Sequence, residues 1–292
     1  MCSINQNSGG FIFYEKKLEN LSLQDMQLNV IPNEILQLNL PFRFNKGTIG
    51  SNGISLKGST IATQPISLFE QPKELIQAYY DGEQVPINEA KVIFLGDGGA
   101  GKTHTIKRIL NHGLKENYET ETTPGIDITN YTATHNGRQF NIHFWDFGGQ
   151  EIMHAMHRCF LTDRTCYVVV VSNRWDLNSR ARYWLKNIDS FAKGTPVILA
   201  INRWDNIDET GVDMNRLSND YPNLVRQPIY YSAKDSNNAE FQFLIDAIIR
   251  ETGKLDSTAM SFPTEWANIR QQLLDIADER YYIDKEEYHR FC

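Results

Sequence analysis

Eight consecutive residues, Gly96-Asp97-Gly98-Gly99-Ala100-Gly101-Lys102-Thr103, carry the spacing G-x-x-x-x-G-K-[ST]. That spacing suits one task, wrapping backbone around a chain of phosphates. Glycines let successive N–H groups converge on anionic oxygens, and the positive end of a helix dipole adds to them. Lys102 would reach the β- and γ-phosphates, while the Thr103 hydroxyl would sit on a Mg²⁺ ion. The expected phosphate-binding run is Gly98, Gly99, Ala100, Gly101, Lys102, Thr103 and His104.

Two other spellings overlap it. Gly96, Gly98 and Gly101 also fit the G-x-G-x-x-G of dinucleotide sites and kinases, and Asp146-Phe147-Gly148 spells D-F-G. A dinucleotide turn has no use for the Lys102-Thr103 pair. A kinase needs an H-R-D-type loop before its D-F-G, and His157-Arg158 comes after it.

Four further signals follow in order, each at the end of a strand-like run, where ligands sit in an open α/β sheet. Thr123, in Thr123-Pro124-Gly125-Ile126, offers a hydroxyl that completes a Mg²⁺ shell when a γ-phosphate is present. Asp146 can hold the ion, so the expected metal set is Thr103, Thr123 and Asp146. The Gly149 N–H can sense the γ-phosphate and Gln150 can orient the attacking water. Lys102, Thr123 and Gln150 are the expected catalytic set. In Asn202-Arg203-Trp204-Asp205, the Asp205 carboxylate could accept from the N1–H and 2-amino groups of guanine, donors that adenine lacks there. In Ser232-Ala233-Lys234 a backbone N–H could meet the guanine oxygen.

The elements needed to position these groups are legible. Val92–Leu95 reads as a buried strand, and Ile106, Ile109, Leu110 and Leu114 mark one helix face. Residues 126–134 and 139–145 flank Asn136-Gly137, a hairpin signal. Cys166–Val171, Val197–Ile201 and Ile229–Tyr231 read as strands. Arg180–Phe191 and a segment around Phe241, Leu244, Ile245 and Ile248 read as helices. The expected fold is a mostly parallel P-loop α/β sheet with helices on both faces and one antiparallel strand.

The flanks differ. Residues 18–35 carry Leu18, Leu21, Leu23, Met26, Leu28, Ile31 and Ile35 at leucine-rich-repeat spacing, and a weaker copy runs from Ile54 to Leu68. The interval from Leu23 to Leu56 exceeds the usual 20–29-residue period, and Gly47, Gly50 and Gly53 mark an insertion. So few repeats cannot bury a solenoid face alone, which suggests the last turns of a longer array; the plainer alternative is an irregular apolar segment. A helix over 72–80 reads as a link. Pro263 starts a further helix with Trp266, Ile269, Leu273 and Ile276 on one face, and Asp284 with Glu287 resembles a capping box. A helix capped so near the last residue is expected to belong to a longer chain.

The ordered set over residues 88–254 resembles the small-GTPase superfamily. Within it, Trp145-Asp146-Phe147-Gly148-Gly149-Gln150-Glu151 and His154-Ala155-x-His157-x-x-Phe160-Leu161-Thr162 resemble the Roc domain of Roco proteins. The resemblance implies leucine-rich repeats over 1–70, a linker helix over 71–87, the Roc GTPase over 88–254 and the start of a COR domain over 255–292. It implies a cytoplasmic Mg²⁺-dependent switch that binds GTP and GDP, with COR-mediated homodimerisation and an unidentified protein ligand for the repeats. Arg203 stands where relatives usually carry Lys, and an arginine can also stack on a base. Fast turnover needs an arginine finger; Arg158, Arg164 and Arg180 are candidates in cis, and a second subunit is the alternative. Without one, hydrolysis is expected on the order of 10⁻⁴ to 10⁻² per second. The other readings are a nucleotide-stabilised scaffold with little turnover, and an ATP-dependent NTPase, which Asp205 disfavours.

Composition excludes several classes. A net charge of −7 gives no broad basic surface for nucleic acid. The four cysteines, Cys2, Cys159, Cys166 and Cys292, form no C-x-x-C pair or disulfide framework. The polar start from Met1 to Gly10 is no signal peptide, and Tyr167–Val171 falls far short of the roughly 18 apolar residues of a membrane span. His154 and His157 lack a third metal ligand and read as helix packing, and Glu151 reads as a helix-start carboxylate.

Overall fold

The computed structural model describes residues 18–44, 52–61, 63–110, 123, 125–148, 161–162, 164–174, 176–192, 194–203, 211–225, 227–234, 239–255, 258, 260–280, 282–288 and 290. The chain divides by its contacts into two compact units. One comprises residues 1–87 with 259–292, and the other residues 88–258.

The first unit opens with short strands, β1 (Asn20–Ser22), β2 (Gln27–Leu28), β3 (Phe42–Arg43), β4 (Gly53–Ser55) and β5 (Thr60–Ile61). β4 runs parallel to β1 with Leu21 opposite Ile54, and β5 runs parallel to β2 with Leu28 opposite Ile61. Both pairs are offset by 33 positions (54 − 21 and 61 − 28). The same offset relates Leu23 to Leu56. The interval is long because β3 lies inside it and pairs with the far side of β4. Ile31, Ile35, Ile54, Leu56, Ile61 and Leu68 fill the space beneath.

Buried polar side chains of the second coil bind the backbone of the first. The Ser59 hydroxyl donates to the Leu23 carbonyl and accepts from the Met26 N–H. The Gln64 amide accepts from the Ile31 N–H at 2.8 Å and donates to its carbonyl at 3.2 Å. Gln64→Leu would fill similar volume but strand the buried Ile31 N–H. An orphaned donor costs about 1–3 kcal/mol, and the urea midpoint of this unit should fall accordingly. α1 (Lys73–Asp81) lays Ile76 and Tyr79 on the same core and leads into β6 (Gln84–Pro86).

The second unit contains β7 (Glu89–Leu95), α2 (Lys102–Leu110), β8 (Ile126–His135), β9 (Arg138–Phe147), β10 (Thr165–Ser172), α3 (Leu177–Phe191), β11 (Val197–Asn202), α4 (Met214–Asp220), β12 (Ile229–Tyr231) and α5 (Ala239–Gly253). Its sheet has the order β12-β11-β10-β7-β9-β8, with every pair parallel except β8 with β9. The expected hairpin turns at Asn136 (φ 51°) and Gly137 (φ 77°), the two left-handed positions of a type I′ turn. All eight residues of β10 are buried because both faces are covered. Val92, Phe94, Val168 and Val170 face the α2 and α5 side; Ile93, Leu95, Val169 and Leu199 face α3 and α4. α3 starts three residues before the expected Arg180, since Asp176 caps the N–H groups of Asn178 and Ser179.

The chain then returns to the first unit as β13 (Ser261–Pro263), α6 (Thr264–Glu279) and α7 (Lys285–Tyr288). β13 pairs antiparallel with β6, so the segments before and after the sheet domain share one ribbon. The Glu287 N–H donates to the Asp284 carboxylate at 2.8 Å, as its capping-box spacing predicts.

Candidate nucleotide-binding site

The cradle fills the gap between the end of β7 at Leu95 and the start of α2 at Lys102. Gly96 and Gly101 are required by both conformation and space. Their φ angles are 153° and 96°. A Cβ at either would fall under 3.0 Å from its neighbour, the Val170 carbonyl oxygen for Gly96 and the Asn202 amide for Gly101. Lys102 is 5% exposed, and its ammonium donates to the carbonyls of Gly96 (2.8 Å) and Asp97 (3.1 Å). Burial lowers its pKa to about 8, with the charges of Asp146 and Asp97 acting in the opposite direction. His104, one residue past the hydroxyl, is held below the ordinary histidine range by burial and then by the Arg108, Lys107 and Lys234 charges. Its imidazole is therefore neutral at pH 7.

Three oxygen donors meet beside this cradle. The Thr103 hydroxyl lies 2.8 Å from the Thr123 hydroxyl and 2.5 Å from Asp146 Oδ2, while Thr123 is 3.1 Å from the same carboxylate oxygen. Asp146 arrives from the C-terminal end of β9 and is 2% exposed. Burial raises its pKa, opposed by the Thr103 bond, the Lys102 charge and the Thr123 bond. Its Oδ1 is buried with no hydrogen-bond partner among the described residues. An unsatisfied carboxylate oxygen in the interior is costly. A small hard cation is the group that would satisfy it, and two hydroxyls with one carboxylate match Mg²⁺ completed by phosphate oxygens. Among the described residues no group of three His, Cys, Asp or Glu side chains offers another metal site.

The loops expected to read the base stand at the ends of the neighbouring strands. Asn202 ends β11 and is 1% exposed. Its amide donates to the Ala100 carbonyl of the cradle at 3.0 Å and accepts from the Ala233 N–H at 3.1 Å. One side chain thus joins the phosphate loop to the Ser232–Lys234 loop. The Arg203 guanidinium lies over the Tyr230 ring (4.9 Å) and pairs with Glu240 at 3.5 Å. Arg180 is committed to the cradle residue Asp97 at 3.4 Å, and Arg164 holds a left-handed φ of 60° just before β10. Gly149, Gln150, Glu151, His154, His157, Arg158 and Asp205 lie outside the described residues.

Residues 91–205 match the family described as "Ras of Complex, Roc, domain of DAPkinase". A Roc-COR-CHAT protease of Runella zeae is 25% identical over 227 residues, covering 70% of this chain and 24% of that protein. Human Rab-like protein 2B is 28% identical over 174 residues, 58% of this chain and 70% of its own. The structure of Methanosarcina barkeri Roco2 RocCORdC bound to GDP superposes with a TM-score of 0.62 at 33% identity, covering 72% of this chain and 62% of that one. Residues 91–205 therefore carry a Roc domain, and the chain around it is similar to Roco proteins. The chain spans about a quarter of the Roc-COR-CHAT relative.

This Roc domain also uses residues that motif reading passes over. Arg108 on α2 is 7% exposed and donates to the carbonyls of Ser232 (3.2 Å) and Ala233 (2.8 Å). Thr105, one turn earlier, bonds the buried Tyr231 hydroxyl at 2.8 Å. The available signal was spacing alone: Thr105 and Arg108 stand three apart on the face that carries Ile109.

Proposed function

We propose that residues 88–254 act as a Mg²⁺-dependent guanine-nucleotide switch, hydrolysing GTP to GDP and phosphate within a longer Roco protein. The observation that carries this reading is the meeting of Thr103, Thr123 and Asp146 at one point beside the Lys102 cradle. Lys102 and the amides of Gly98 to Thr103 bind the β- and γ-phosphates. Thr103, Thr123 and Asp146 hold Mg²⁺, which neutralises charge on the phosphate oxygens. Thr123 is the member that a γ-phosphate recruits and its loss releases, so it ties loop position to nucleotide state. Gln150 orients the attacking water and Asp205 reads guanine. Arg203 has its guanidinium on Tyr230 and Glu240, which leaves packing on the base to its aliphatic stem.

Residues 1–70 read as the last turns of a leucine-rich-repeat array, supported by the parallel pairing of β1 with β4 and of β2 with β5. Residues 71–87 read as the link and 255–292 as the start of COR, with homodimerisation through COR in a cytoplasmic protein. Among the described residues no helix is long and apolar enough to cross a membrane.

Displacement of a fluorescent guanine nucleotide tests the reading. GDP and GTP should displace it and ATP should not; equal displacement by ATP would overturn the assignment of guanine. Asp146→Asn should weaken GDP binding in Mg²⁺ about tenfold or more. Chelation by EDTA should speed release from the wild type and change the rate of the variant little.

A further inference from the structure

Burying an arginine is expensive unless its donors are satisfied, so the placement of Arg108 asks what it accomplishes. Its guanidinium carbon lies 4.6 Å over the Phe241 ring, and Nη1 donates to two successive carbonyls, Ser232 and Ala233. In a trans peptide the C=O and the following N–H point in opposite directions. Drawing those two carbonyls toward α2 therefore turns the N–H groups of Ala233 and Lys234 away from it. The Ala233 N–H is met by Asn202 at 3.1 Å, and the Lys234 N–H by the Ser232 hydroxyl at 3.3 Å.

We infer that Arg108 is a positioning residue for base recognition: it sets the two peptide planes of the Ser232–Lys234 loop from the helix that also carries the phosphate-binding Lys102. The inference rests on the guanine reading above. Six residues along α2 correspond to about 9 Å of rise. One rigid helix thereby fixes the separation between the phosphate end and the loop that meets the purine 6-oxygen. Asn202 supplies a second tie between the same loop and the cradle. A mobile loop would otherwise have to be ordered by the nucleotide at a cost to affinity.

Arg108→Met keeps an apolar stem for Phe241 and removes the donors. Binding and dissociation of GDP, IDP and 6-thio-GDP separate a positioning role from general damage. IDP lacks the 2-amino group assigned to Asp205, and 6-thio-GDP replaces the oxygen assigned to the loop. The expected result is a roughly tenfold loss of GDP affinity. The preference for GDP over 6-thio-GDP should collapse while the preference over IDP is retained, with partial recovery in Arg108→Lys. A general structural defect would weaken all three nucleotides in proportion and would overturn the inference, as would unchanged GDP binding. If the Met variant fails to fold, Arg108→Gln is read on the same three nucleotides by the same criteria. A wild-type protein that does not prefer GDP over ADP would overturn the guanine reading itself. Wild-type preference with an unaffected Arg108→Met would overturn the role of Arg108 alone.

Discussion

Lys102→Met should lose about a hundredfold or more in GDP affinity, yet the nucleotide-free protein should unfold no more easily than the wild type. Charge-assisted hydrogen bonds contribute about 1.5–3 kcal/mol each. A lysine spanning two phosphates makes two, which places the loss at a hundredfold or beyond. Stability runs the other way because the ammonium is buried and its acceptors among the described residues are two neutral backbone carbonyls. Its pKa falls from 10.5 to about 8. Between those values the unfolded chain binds more protons than the folded one, so this group makes stability rise with pH. Its contribution is fully present above 10.5 and is lost as pH falls through 8. The wild type should therefore gain on the order of 3 kcal/mol relative to Lys102→Met across that window. Urea titrations of both proteins without nucleotide, at pH 7.5 and 10.5, would show it. A variant less stable than the wild type at pH 7.5 would mean that the two carbonyl bonds outweigh desolvation.

The cradle was legible because eight contiguous residues encode it and local backbone geometry does the rest. The Thr103, Thr123 and Asp146 cluster was legible for a different reason: Thr103 follows β7 through the cradle, Asp146 lies at the C-terminal end of parallel β9, and Thr123 stands just before β8, whose antiparallel run starts at that same edge. β10 announced itself through uninterrupted apolar residues. Arg108 did not, since an arginine on a helix ordinarily reads as solvated, and its acceptors lie 124 and 125 residues away. The ribbon of β6 and β13 was hidden more deeply. Each strand has three residues, the two are separated by the whole sheet domain, and Pro86 and Pro263 stand at their ends. Proline lowers any strand reading, although it is tolerated where no ladder N–H is required. The tail from 255 accordingly reads as a separate segment, whereas residues 259–292 group with the first unit.

Tyr79→Ala should show how much that ribbon matters. Tyr79 is 3% exposed, and its ring meets Tyr80 edge-on at 5.7 Å and Trp266 at 5.8 Å. Its hydroxyl donates to the Ser261 carbonyl at 2.9 Å, so one side chain ties α1 to β13. Removing a buried aromatic ring typically costs about 3–5 kcal/mol. Tyr79→Phe, which keeps the ring, should cost about 1 kcal/mol. The local readout is hydrogen exchange at Ile87 and Thr264, whose N–H groups donate to Met260 (2.9 Å) and Glu83 (2.8 Å). Both amides should exchange faster in Tyr79→Ala, while amides of β10 keep their protection. Unchanged exchange at both would show that backbone pairing alone holds the ribbon. The Ile87–Met260 bond gives the result its meaning, because the chain leaves the first unit and re-enters it at adjacent residues. Faster exchange at both amides would therefore show that side-chain packing around Tyr79 helps to close the ribbon where the chain leaves and re-enters the first unit.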